Sequence, residues 1–411
     1  MINLYLFNDT DSAAIYGIGA YLIELTNALK NSDINIHIVH LRSNRPKFEI
    51  EQTNQFEIWH VPTFRNESNS LDAIQEVEEY FRNVVFLLRM HIKDTKNLIF
   101  QFNYHQCQVL AKELKAVFDC KTIAVVHYFK WTLDLHGNLH RLSKIKAKTE
   151  NERTSFEQLI YLAYEYEKAL FKEVDRVIAF SQTMQHILIQ DYQIEQDKIS
   201  VIPNGLHDTG SAPITNRKML RNKWRIAEKE SIILFAGRLQ SVKGLNFLIK
   251  AFRKVLEHIP DCRLMIAGNG NFDTYMQEAK AICTKITFTG LLDKTELQEL
   301  YQIADVGVVP SLFETFGYVA VEMMMHELPI VVTATSGLNE LIDDTCGLKV
   351  PVIEHPYKVE LDIDILTQKI LFLLQHPKDA RRLGKNGRKR FLKFYSSSVF
   401  RRNMLNFYTL L

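Results

Sequence analysis

Pro310–Glu340, PSLFETFGYVAVEMMMHELPIVVTATSGLNE, is the stretch whose reading decides the fold. An apolar run, Ala304–Val309, precedes it and reads as a buried strand, which Pro310 and Ser311 break. A loop carries Glu314. From about Gly317 the pattern turns helical, with Val319, Met323 and His326 on adjoining turns and Glu322 among them. Pro329 then opens a second apolar strand, Ile330–Thr333, which ends at a Ser336-Gly337 turn. Strand, loop, helix and strand in this order form the repeating unit of a doubly wound parallel sheet. Such sheets bind ligands at the carboxyl ends of their strands, where this loop lies. The amides of Gly317, Tyr318 and Val319 open the helix and favour a phosphate. Glu314 and Glu322 would flank that phosphate, and carboxylates there make sense when they read hydroxyls. The ligand implied is a sugar nucleotide.

Glu314-x7-Glu322 with Phe316-Gly317 between them resembles the signature of the retaining glycosyltransferases of family 4, also called glycosyl transferases group 1. The bare spacing is weak, but the string from Ser311 through Pro329 to Gly337 and Glu340 is far more specific. His326 and Glu327 stand where the family usually has a small residue and Gly, and Ser336 precedes Gly337 where a Gly pair is common. These departures bear on the shape of the donor pocket. The resemblance implies the GT-B architecture: two Rossmann-like, doubly wound parallel-sheet α/β domains facing an interdomain cleft.

The chain of 411 residues is long enough for two domains that each bury a core. Its formal net charge of +2 demands no polyanionic partner, and nucleic acid is not expected. Cys107, Cys120, Cys262, Cys283 and Cys346 are scattered, odd in number and without a CxxC pair, which reads as reduced, cytoplasmic thiols. The N-terminus does not read as a signal peptide, and no apolar run is long enough to span a membrane. Peripheral contact with the inner face of a membrane stays open.

In chain order, Asn3–Phe7 reads as a strand, and Gly17-Ile18-Gly19 opens a helix, Ala20–Lys30. Leu22 stands where the dinucleotide fingerprint needs its third Gly, which argues against NAD. The resemblance suggests instead that Gly17 and Gly19 approach the donor diphosphate. Asp9-Thr10-Asp11 follows a strand, as a metal-holding Asp-x-Asp does, but reads better as a solvated loop. Asp362-x-Asp364 begins an amphipathic stretch, so one Asp reads as a helix cap. No metal site and no cofactor are expected. Leu71–Asp94 reads as a core-packed helix, and strands Asn97–Phe102 and Lys121–Val126 end in the polar clusters Asn103-Tyr104-His105 and His127-Tyr128. The resemblance puts at about His127 a residue that touches the donor sugar. Trp131–Thr154 reads as the least regular part of the first half. Within it Arg141, Lys144, Lys146, Lys148 and Arg153 outnumber Glu150 and Glu152, making either a solvated face or a mobile flap over an acceptor.

Strand Ile199–Ile202 closes a first domain, 1–208, and 209–395 forms a second; residues 396–411 return to the first by resemblance. The second domain opens with strand Ser231–Ala236, then Gly237-Arg238, with Lys243 at the mouth of helix Leu245–His258. Arg238 can fork onto phosphate oxygens and Lys243 supplies a point charge. By resemblance the backbone of Thr289-Gly290-Leu291 holds the nucleotide base. The same resemblance implies a metal-independent, hexosyltransferase-type enzyme moving sugar from a nucleoside diphosphate, UDP ahead of GDP. Arg238, Lys243, Glu314 and His127 would act on the donor, and Glu322 would bind ribose. The acceptor is undefined: a glycan, lipid-linked glycan, peptide or small metabolite. Two rivals stand beside this reading, a nucleotide-sugar epimerase of similar architecture and a non-catalytic partner protein.

Overall fold

The computed structural model describes residues 1–8, 17–63, 73–94, 96–104, 107–210 and 217–411. Asp9-Thr10-Asp11, His105 and most of the Gly210–Asn216 connection therefore lie outside the described residues. The chain forms two compact units. One comprises Met1–Lys130, Glu150–Asn204 and Phe400–Leu411; the other comprises Trp131–Thr149 and Gly205–Val399.

The first unit is built on β1 (Ile2–Asn8), β2 (Ile34–Ser43), β3 (Glu49–Gln52), β4 (Glu57–Pro62), β5 (Leu98–Phe102), β6 (Cys120–Val125), β7 (Arg176–Ala179) and β8 (Ile199–Val201). They lie in the order β3-β4-β2-β1-β5-β6-β7-β8, parallel except where β3 pairs antiparallel with β4. All five residues of β5, Leu-Ile-Phe-Gln-Phe, are buried, as expected of a strand covered on both faces. Aromatic rings fill the centre: Tyr5, Phe7, Phe100 and Phe102 pack with ring centres 5.3–5.8 Å apart. Helix Ser397–Thr409 ends the chain in this unit, and Arg401 donates to the carbonyls of Ala28 and Lys30. Those carbonyls close helix Gly17–Leu29, where a cation complements the helix dipole.

The second unit carries β9 (Ser231–Ala236), β10 (Cys262–Ala267), β11 (Ile286–Gly290), β12 (Val306–Val309), β13 (Ile330–Thr333) and β14 (Leu348–Val350). All are parallel, in the order β11-β10-β9-β12-β13-β14. Numbered within the unit this is 3-2-1-4-5-6, the doubly wound order, with the topological switch between β9 and β12. A two-stranded hairpin, β15 (Val352–Glu354) with β16 (Val359–Leu361), follows.

Two local readings are revised. Trp131–Thr154 contains helices Lys130–Asp134 and Leu139–Ala147 and a short 3-10 turn, Glu150–Glu152. Asn138 caps the second helix by accepting from Arg141 N. Ser336-Gly337, read as the turn that ends strand Ile330–Thr333, instead starts a helical segment, Ser336–Leu341.

Candidate active site

In the second unit the sequence-derived residues gather at the carboxyl ends of β9 and β12, the two strands flanking the switch point. After β9 the chain passes Gly237 (φ +147°) and Arg238, makes the 3-10 turn Ser241–Lys243, and enters helix Leu245–His258 through Gly244. Gly244 has φ +69°, and a Cβ there would lie 1.9 Å from Pro310 O. Only glycine allows this approach of the two loops. A backbone bond, Leu312 N to Val242 O at 2.7 Å, ties them together.

Lys243 Nζ consequently meets Glu314 Oε1 at 2.5 Å, and Ser311 Oγ donates to the same oxygen at 2.9 Å. Both charged side chains are largely withdrawn from water, 19% and 15% exposed. A cation and a carboxylate from opposite sides of the switch point thus neutralise each other in one place. Gly317 (φ +102°) then starts helix Tyr318–Met325, whose first turn closes with Ala320 N and Val321 N on Gly317 O. Phe316 is only 3% exposed and packs against Tyr318 and Tyr395, so its side chain belongs to the core and its backbone to the loop. Glu322 Oε2 accepts from buried Tyr301 Oη at 2.6 Å, and burial beside that carboxylate raises the Tyr301 pKa well above its ordinary value.

Gly268 N bonds Gly290 O at 2.8 Å, and a Cβ on Gly268 would lie 1.9 Å from Gly237 O. The ends of β9, β10 and β11 therefore stack through glycines. Thr289 Oγ1 turns inward to Ile266 O and Gly290 O, whereas Leu291 stands 57% exposed.

In the first unit Gly17 and Gly19 open helix Gly17–Leu29, the former exposed and the latter buried. His127 follows β6. Its Nε2 lies 3.2 Å from Asn103 Oδ1, and Asn103 Nδ2 donates to Phe7 O. That second bond sets the amide so that Oδ1 accepts, which makes Nε2 the protonated nitrogen of His127. Tyr21 packs edge-on to the imidazole at 4.9 Å and Phe180 tilts against it at 5.4 Å. Part of the ring stays accessible, yet it is closely packed, and burial pushes its pKa down to about 3. Behind it Gln101 Nε2 reaches Asn103 Oδ1 and Tyr21 Oη, and Tyr408 of the terminal helix donates to Gln101 Oε1 at 2.6 Å. Sequence reasoning missed Gln101, Asn103 as a partner, Tyr21 and Tyr408, because no local pattern links residues joined only by the sheet.

Among the described residues no three His, Cys, Asp or Glu side chains converge as a metal-holding set. Asp362 Oδ1 caps the next helix, accepting from Asp364 N and Ile365 N. Among the described residues no helix is long and apolar enough to cross a membrane.

A doubly wound sheet whose switch point carries a cation, a carboxylate, a helix N-terminus and stacked glycines is chemically suited to phosphorylated, hydroxyl-bearing ligands. Comparison with known proteins makes the class specific. The family model described as Glycosyltransferase Family 4 matches residues 15–209, and that described as Glycosyl transferases group 1 matches residues 216–390. The chain belongs to this family, and its fold is GT-B. An uncharacterized glycosyltransferase of Methanocaldococcus jannaschii is 33% identical over 173 residues, 41% of this chain and 44% of that protein. Mannosylfructose-phosphate synthase of Agrobacterium fabrum is 31% identical over 210 residues, 48% of this chain and 45% of that protein. The chain spans about half the length of the curated relatives it matches. Among solved structures, sucrose-phosphate synthase from Thermosynechococcus elongatus superimposes with a TM-score of 0.75 at 21% identity, covering 100% of this chain and 99% of that one.

Proposed function

We propose that the protein is a retaining glycosyltransferase that moves a sugar from a nucleoside diphosphate, UDP ahead of GDP, to an acceptor without a metal ion. The observation that carries this reading is the meeting of Lys243 and Glu314 beside the N-terminus of helix Tyr318–Met325. When a diphosphate takes that helix end, Lys243 turns to its oxygens and Glu314 is released to bind hydroxyls of the donor sugar. Departure of the diphosphate builds negative charge there, and stabilising it is usually the largest catalytic term. Arg238 shares that task, Glu322 binds ribose hydroxyls, and the backbone of Thr289-Gly290-Leu291 receives the base. Gly17 and Gly19 approach the diphosphate, and His127 touches the sugar.

The state of His127 supports retention. A base held with a pKa of about 3 takes a proton from an attacking hydroxyl poorly at neutral pH. A poor base at this position is in keeping with a reaction in which the departing phosphate, on the same face as the acceptor, takes the proton. The five cysteines form no disulfide, in keeping with a reducing, cytoplasmic setting.

The test is to incubate the purified protein with UDP-glucose, UDP-galactose, UDP-N-acetylglucosamine and GDP-mannose, with and without a chelator. Slow hydrolysis of one donor, unchanged by the chelator, is expected, and proton NMR should show the anomeric configuration kept. Activity restored only by Mg²⁺ or Mn²⁺, or an inverted product, overturns the corresponding part. Release of an epimerised donor selects the epimerase, and inertness toward all four donors favours a non-catalytic partner protein.

A further inference from the structure

The loop that carries Glu314 is laced to the end of β13 by three hydroxyls in succession. Thr333 Oγ1 donates to Ser311 O at 2.5 Å, Thr335 Oγ1 to Leu312 O at 3.0 Å, and Ser336 Oγ to Glu314 O at 2.5 Å. The first two hold only a carbonyl each. Ser336 does more, because Glu314 N also donates to its Oγ at 2.9 Å. One hydroxyl therefore accepts from the amide and donates to the carbonyl of the same residue. Gly337 N adds a second bond to that carbonyl at 2.8 Å, and a Cβ on Gly337 would lie 2.6 Å from Thr315 O. The peptide groups on both sides of the Glu314 Cα are thus fixed, and with them the direction in which the carboxylate leaves the backbone.

This arrangement has a conformational cost. Ser336 has φ +34°, a conformation glycine adopts far more readily than serine. A serine kept there needs an offsetting gain, and the clasp on Glu314 is the gain visible in the structure.

We infer that Ser336 is a positioning residue that aims Glu314 at the donor sugar, acting on the step that Glu314 serves and not on diphosphate affinity. The inference rests on the sugar-binding role proposed for Glu314, and its geometry separates two substitutions. Ser336→Gly removes the hydroxyl and relieves the backbone; Ser336→Ala removes the hydroxyl and leaves the strain. A purely conformational role would let Ser336→Gly work as well as the native protein. Positioning makes both substitutions slow.

The experiment measures kcat and KM for whichever of the four nucleotide sugars is turned over, together with UDP or GDP affinity by calorimetry. Native protein, Ser336→Gly, Ser336→Ala, Glu314→Gln and the Ser336→Gly/Glu314→Gln double variant are compared, and thermal melting confirms that each is folded. Ser336→Gly is expected to lower kcat about tenfold, the effect of losing one well-placed hydrogen-bonding group, with diphosphate affinity within about twofold. In the Glu314→Gln background the same change should cost less than about twofold, because coupled residues are not additive. Native kcat in Ser336→Gly, or losses that multiply in the double variant, overturns the inference. Native turnover in Glu314→Gln overturns instead the role proposed for Glu314, and turnover of none of the four donors overturns the proposed activity.

Discussion

The two units share one architecture and place their polar residues by opposite means. In the second, the candidate site is shaped by the backbone: Gly237, Gly244, Gly268, Gly290 and Gly317 all have positive φ at strand ends or a helix start. Its charged side chains then need only reach one another, as Lys243 and Glu314 do. In the first, His127 is held by side chains drawn from helix Gly17–Leu29, from β5 and the residue after it, and from the terminal helix, through Tyr21, Gln101, Asn103 and Tyr408. A backbone-built site constrains neighbours in sequence and so leaves a motif. A side-chain network constrains neighbours in space and leaves none.

The largest effect that would break this comparison lies in the second unit. Glu314→Ala should lower donor turnover about a hundredfold or more, while UDP or GDP affinity measured by calorimetry stays nearly unchanged. Arg238→Ala and Lys243→Ala should instead weaken that affinity. Equal loss of affinity in all three would erase the division of labour between carboxylate and cations.

Gly244→Ala comes next, since its methyl would meet Pro310 O. It should destabilise the second unit by about 2–4 kcal/mol and abolish diphosphate binding. Hydrogen exchange across β9 and β12 measures the first, and calorimetry the second; a native response would show that the loops are not held as close as described.

The first unit should respond to pH. His127 has an ordinary value of 6.5 but about 3 when folded, so its contribution is whole above pH 6.5 and drains as pH falls toward 3. Glu167 runs the other way. It is fully buried on helix Ser155–Glu173, accepts from Lys130 N at 2.6 Å and from Tyr192 Oη, and burial raises its pKa from 4.5 to about 8. Its contribution is whole below pH 4.5 and is lost as pH rises through 8. Glu167→Gln should therefore flatten the alkaline side of a stability profile, and His127→Gln the acid side, each by on the order of 1 kcal/mol or more. Hydrogen exchange in β5 and β6 between pH 5 and 9 reads both, and parallel profiles for all three proteins would refute the assignment.

Tyr408→Phe is the smallest test. Losing its bond to Gln101 should cost about 1 kcal/mol of first-unit stability and change donor hydrolysis less than about threefold. A large catalytic loss would make the terminal helix part of the site's chemistry.

This difference governed what could be read from the sequence. Strands Ser231–Ala236 and Ile330–Thr333 and helix Leu245–His258 have the bounds their apolar periodicity and flanking Gly or Pro predict. The β3–β4 hairpin left little signal: Ile50 is the sole apolar residue of β3, an edge strand with little burial, and β4 is short, with Ile58, Trp59 and Val61 interrupted by His60. The helices inside 131–154 were obscured by Gly137 and by a run of lysines, which mask a weak apolar pattern at Leu142 and Ile145. Ser336 stood out only as a departure from a Gly pair. Its bonds to Glu314 depend on how β12 and β13 lie together, which no local pattern encodes.

Segment Trp131–Thr149 is interposed in the first half of the sequence but belongs to the second unit. There His136 Nε2 lies 2.8 Å from Ser241 Oγ, Asn138 Nδ2 donates to His355 O, and Gly137 (φ +77°) lies so close to Phe313 that a Cβ would be 2.5 Å from its ring. Recombination must respect that. The second unit transplanted into a related protein as residues 205–399 would leave this segment behind, and its foreign replacement would have to fit Ser241 and Phe313, two and one residues from Lys243 and Glu314. A single crossover near residue 205 therefore divides the second unit, and a hybrid that keeps this unit whole has to carry residues 131–149 as well.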